Sequence, residues 1–112
     1  MTRQLHLGGF QIASQVTHSH AAWRHPASDT RFTTPDYYHR IGRILERGKF
    51  DCVFFDDRLA MPGVYGNSVA DAVRYGARPI KLDLTAVLGG IIGATDRIIA
   101  IASAASSWSE LR

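Results

Sequence analysis

The sequence predicts an α/β fold with parallel strands, on three observations. The near-continuous apolar run Phe50-Asp51-Cys52-Val53-Phe54-Phe55 directly follows a helical pattern, as a strand covered on both faces does. The elements alternate strand, loop, helix, strand, loop, helix, strand, an order that handedness rules make right-handed and parallel. The strand starts fall near residues 5, 50 and 97, so 112 residues carry about three strands and two helices.

The first strand is expected over Gln4–Ile12, where Leu5 and Leu7 alternate before Gly8-Gly9-Phe10; the glycines allow a bend or a close backbone approach. Residues 13–34 keep neither period and read as a long loop, the kind that carries function. Thr34-Pro35-Asp36 opens a helix, with a hydroxyl for the N-cap, a proline at the first position and an acid near the positive end of the dipole. Tyr37, Tyr38, Ile41, Ile44 and Leu45 form its apolar stripe, and Gly48 stands where a left-handed cap is expected. His39, on this helix, reads as solvated. The second strand ends in Asp56-Asp57. Residues 58–82, rich in Pro and Gly, read as a connection. A helix from near Asp83 to Gly93 carries Leu84, Val87, Leu88, Ile91 and Ile92 on one face, and Arg97–Ala102 is expected as a third buried strand.

At 46% apolar and 21% charged residues, the chain has the composition of one folded domain rather than of a disordered or fibrous protein. No apolar run reaches the ~20 residues of a membrane span. The start has no signal-like apolar core, and the single Cys52 excludes an internal disulfide, so a cytoplasmic location is expected. The net charge is +3, but the eleven arginines are scattered, with Arg40, Arg43 and Arg47 the nearest approach to a cluster; no nucleic-acid partner is expected.

Parallel α/β folds gather ligands at the carboxyl ends of their strands. Asp57 closes an apolar strand, where a carboxylate is costly to bury without a partner, so it reads either as aimed at a ligand or as a cap for the next loop. Asp56 is adjacent, and neighbours in a strand face opposite ways, which excludes a carboxylate dyad. His18, His20 and His25 fall in the first loop. His18 and His20 have metal-ligand spacing, but no Cys or Glu accompanies them, so no metal site is expected and pocket or proton-transfer roles fit better. Trp23 is a packing anchor or a stacking platform. Cys52 reads as a small hydrophobe. Ser103, Ser106 and Ser107 either donate to a ligand or satisfy the strand end. Gly8-Gly9 lacks the spacing of a dinucleotide or phosphate loop.

Several words of this sequence together resemble the bacterial-luciferase-like flavin monooxygenases. They are His6-Leu7-Gly8-Gly9-Phe10, Ala22-Trp23-Arg24-His25-Pro26, Tyr37-Tyr38-His39 and Leu45-Glu46-Arg47-Gly48-Lys49-Phe50-Asp51. The nearest branch contains the nitrilotriacetate, dibenzothiophene-sulfone and long-chain alkane monooxygenases, and the resemblance runs from about residue 5 to 107. It implies a (β/α)₈ TIM barrel, of which residues 1–112 form an incomplete amino-terminal part; a whole barrel needs ~250 residues. It implies a monooxygenase using reduced FMN, supplied by a separate NAD(P)H-dependent flavin reductase, on a small organic substrate. It places Asp57 and Ser103 against the flavin, His20 and the stretch Trp23–Pro26 at the pocket entrance, and Tyr65 in the loop above. After Ser106-Ser107-Trp108 the sequence departs from the family pattern, and the downstream flavin-site positions have no counterpart. An inactive, truncated chain is therefore expected, whose exposed edges promote self-association. The other reading is a non-catalytic interaction module that pairs through those edges.

Overall fold

The computed structural model describes residues 3–14, 24–57, 63, 65–76 and 80–103. Three strands, β1 (Gly8–Gln11), β2 (Cys52–Phe55) and β3 (Ile99–Ala102), form one sheet in the order β1-β2-β3, and both pairings are parallel. The register aligns Gly8, Cys52 and Ile99 in one row and Phe10, Phe54 and Ile101 in another. The α/β class and the parallel order are as the sequence predicts.

Helix α1 (Pro35–Arg47) joins β1 to β2, and α3 (Leu84–Ala94) leads into β3. Both lie on one face of the sheet, where Val53, Phe55 and Ile91 are fully buried and Ala13, Tyr38, Leu84, Val87 and Ile98 complete the core. The close approach of the two helices depends on Gly42: a Cβ there would stand 3.0 Å from Thr95 Cγ2 and 3.2 Å from Ile91 Cγ2. Tyr38 is 3% exposed, and its ring leans on Phe55. Burial pushes its hydroxyl up to about 12, because the phenolate would lose its hydration.

Several expected boundaries move. The ladder of β1 covers Gly8–Gln11 rather than Gln4–Ile12; the Leu7 carbonyl still accepts the Asp51 and Cys52 N–H groups, while Leu5 is exposed. Strand β3 starts at Ile99, two residues later than expected. The Thr34 hydroxyl does not cap α1; it donates to the Arg31 carbonyl at 2.7 Å, closing the short 3₁₀ turn Arg31–Thr33. Gly48 has φ −75°, and the left-handed residue of that turn is Lys49, at φ 61°. His39 is half-buried against α3, not solvated: its Nε2 would lie 3.5 Å from a Cβ at Gly90. Helix α3 passes Gly93 and ends at Ala94. Within the connection expected over residues 58–82 lies a short helix, α2 (Ala70–Arg74). Five residues are too few to show a period, and the local signal is Ser68, whose Oγ accepts the Ala70 N–H at 3.1 Å.

Burial of β2 and β3 on both faces also fails. Val53 and Phe55 are buried on the helix side, but Cys52 and Phe54 are only half-buried. Phe10, Ile99 and Ile101 on the same open face are 57%, 60% and 41% exposed. The reason is simple: among the described residues, helices cover only one side of the sheet.

Candidate functional site

At the carboxyl end of the sheet the chain leaves β2 through Asp56 and Asp57 and leaves β3 through Ser103. The Asp57 N–H donates to Ser103 Oγ at 2.8 Å, and that hydroxyl in turn donates to the Phe55 carbonyl at 3.4 Å. Ser103 thus joins the ends of β2 and β3, which is the strand-end role that its sequence position left open. The Asp57 carboxylate meets a partner that sequence reasoning missed. Lys81 Nζ lies 3.1 Å from Asp57 Oδ1, and both side chains are only 20% exposed. Lys81 is carried there by its backbone: it forms an antiparallel bridge with Ser14, and the next N–H, of Leu82, donates to the Ala13 carbonyl at 3.0 Å. Asp83 then caps α3 by accepting the Thr85 N–H at 2.8 Å. One short segment thereby ties the loop after β1 to the end of β2 and the start of α3. The sequence signal for it is faint; Lys81 is one of two lysines and precedes a helix cap.

The open face of the same sheet carries an apolar layer. The rings of Phe10 and Phe54 stack with centroids 5.8 Å apart, with Ile101 in the same row. A carboxylate and a cation at the carboxyl end of such a sheet suit a ligand with polar edges.

Of the other predicted pocket residues, the two described ones, His25 and Tyr65, are not joined to this cluster. His25 is exposed, and its Nδ1 accepts the Ala27 N–H at 3.1 Å within a turn. Tyr65 is 80% exposed in the 3₁₀ turn Tyr65–Asn67. His18, His20, Trp23, Ser106, Ser107 and Trp108 lie outside the described residues. Among those described, no group of three or more His, Cys, Asp or Glu could hold a metal, and no helix is long and apolar enough to cross a membrane.

The amino end of the sheet is built from the turn after α1. Glu46 Oε1 accepts the backbone N–H groups of Asp96, Arg97 and Ile98 at 2.9, 2.5 and 3.2 Å. Asp51 Oδ2 accepts the Leu7 N–H at 2.8 Å and stands 3.4 Å from His6 Nδ1. The Arg97 N–H, with its neighbours, holds the Glu46 carboxyl below its ordinary range, and the Leu7 N–H does the same for Asp51. An open cleft of about 740 Å³ runs past this turn, with Arg47, Lys49 and Arg97 on its walls.

No family model matches the chain. Among curated proteins it is 39% identical over 97 residues to the dibenzothiophene-sulfone monooxygenase of Rhodococcus erythropolis (strain XP), a match covering 86% of this chain and 21% of that protein. The chain is homologous to the amino-terminal part of the luciferase-like monooxygenases. It spans about a fifth of the length of the curated relatives it matches. Solved luciferase-like structures agree. A long-chain alkane monooxygenase superposes with a TM-score of 0.81 at 27% identity, over 91% of this chain and 24% of that one. A riboflavin lyase, solved with modified FMN and riboflavin, gives 0.80 at 28% identity, over 91% and 23%. The three strands with their helices therefore correspond to part of a TIM barrel of the luciferase-like kind.

Proposed function

We propose that this chain contributes one wall of the FMN site of a flavin-dependent monooxygenase, with Asp57 directed toward the flavin. The observation that carries the reading is Asp57 at the carboxyl end of β2, in a chain homologous to monooxygenases over that segment. The residues fit such a group in kind. Asp57 accepts hydrogen bonds, Lys81 supplies positive charge, and the layer of Phe10, Phe54 and Ile101 offers a flat apolar contact.

Bound reduced flavin would supply the oxygen-activating chemistry. The chain's own residues would orient it: Asp57 would hold a polar edge, and Ser103 fixes the backbone that carries Asp57. The partners in this reading are a small organic substrate and a separate NAD(P)H-dependent reductase, and the compartment is the cytoplasm. His20, Trp23, His25 and Tyr65 would stand at the entrance. Turnover by these residues alone is not expected, since they match about a fifth of the relatives' length.

The test is titration of the chain with FMN, followed by flavin fluorescence. Saturable binding, weakened about tenfold or more by Asp57→Asn, supports the reading; an unchanged isotherm in that variant sinks it.

A second reading has its own observation: Ile99, Ile101 and Phe10 leave an apolar sheet face exposed. A non-catalytic module pairing through its sheet edges would elute as a dimer or larger species in gel filtration and ignore FMN.

A further inference from the structure

The Asp57–Lys81 pair invites a question of charge. Both side chains are four-fifths buried, and their charged atoms are 3.1 Å apart. In such a place a carboxylate standing alone would repel an anion, whereas a paired one presents no net charge to it. The backbone on both sides of Lys81 is also held, by the bridge to Ser14, the Leu82–Ala13 hydrogen bond and the Asp83 cap. The flavin ring is neutral when oxidised and carries a negative charge at neutral pH after two-electron reduction, and charge beside the ring shifts the balance between the two forms.

We propose that Lys81 is a specificity residue: by neutralising Asp57 it removes the site's bias against the anionic, two-electron-reduced flavin relative to the neutral oxidised one. The proposal rests on the flavin reading of Asp57 given above. Lys81 offsets the repulsion that Asp57 alone would exert on the reduced ring, while the oxidised ring gains little from either charge. The flavin phosphate is common to both redox forms, so its contribution cancels from their ratio.

The experiment measures the affinity of the full chain for oxidised FMN and, without oxygen, for chemically reduced FMN. The proteins compared are the unaltered chain, Lys81→Met and Lys81→Arg. The preference for the reduced form is expected to fall about tenfold in Lys81→Met and to be kept in Lys81→Arg. A tenfold loss of preference also moves the two-electron potential of the bound flavin about 30 mV more negative. Lys81→Gln, which keeps a polar neighbour for Asp57 without the charge, gives the same readout where Lys81→Met fails to fold. Equal weakening of both redox forms in the charge-removing variants, or a preference indifferent to charge removal, overturns the role of Lys81 and leaves the flavin reading standing. Binding of neither form by the unaltered chain overturns the flavin reading and this proposal with it.

Discussion

At the amino end of the sheet, Glu46 and Asp51 meet backbone N–H groups; at the carboxyl end, Asp57 meets the side chain of Lys81. The chemistry of the three acids is the same, but what each can release is not. The donors held by Glu46 belong to the start of β3 and the donor held by Asp51 to the start of β1, so freeing either acid means dislodging a strand. Freeing Asp57 requires only that a lysine side chain turn away. Carboxylates that fix backbone belong to folding, whereas a carboxylate held by a movable side chain remains available to a ligand. The family-like word Glu46-Arg47-Gly48-Lys49-Phe50-Asp51 therefore belongs to the supporting end, although it is the most recognisable stretch in the chain.

The largest expected effect removes what the two ends share. Phe55 is fully buried between the helices and β2, two residues before Asp57, and Phe55→Ala should cost about 3–5 kcal/mol in urea unfolding. Both ends should fail together; a loss confined to one would break the view that a common core supports them.

Next comes an exchange of single acids. Glu46→Ala leaves three N–H groups without their acceptor and should lower Tm by several degrees, while FMN affinity falls only as far as the folded fraction does. Asp57→Asn strips the largely buried Lys81 of its carboxylate and should lower Tm as well, but it should lower FMN affinity beyond what the folded fraction explains. If the two variants behave alike, the contrast between the ends is lost.

Acid sharpens the same contrast. Glu46 and Asp51 have folded pKa values below their ordinary 4.5 and 3.8. A depressed folded value means that their stabilisation is complete above the unfolded pKa and drains away as pH falls through the lowered one. Urea midpoints measured from pH 6 to pH 3 should decline below about pH 4.5, and Glu46→Gln should flatten that decline. The smallest effect belongs to Ser103→Ala. Loss of the acceptor for the Asp57 N–H should cost about 0.5–1.5 kcal/mol, with faster hydrogen exchange at that amide than at Val53.

What the sequence revealed and what it withheld divide by range. Helix α1 was legible because Thr34-Pro35-Asp36 and the stripe from Tyr37 to Leu45 act within a few turns, and the pairing of strands followed from the apolar run into Phe55. Asp57 and Ser103 could be singled out because strand ends are where parallel sheets carry ligands; that the Ser103 hydroxyl is spent on the end of β2 could not. Lys81 reaches Asp57 only because residues 80–82 cross beside Ser14, and no local pattern records that crossing. Glu46 and its donors are separated by 50 to 52 positions, beyond any helical or strand period. The fold class is written locally, whereas the partners of its charges are set by topology.

Tyr65, four-fifths exposed, lies on the covalent path from β2 to α3. A protease cutting there would sever none of the β2–β3 ladder, the three bonds of Glu46 or the seat of Gly42 against Ile91. The amino-terminal piece would keep α1 with β2, and the other piece would keep α3 with β3. Every contact that orders them runs across the cut rather than through it. Such a nicked chain would behave as two fragments that recognise one another.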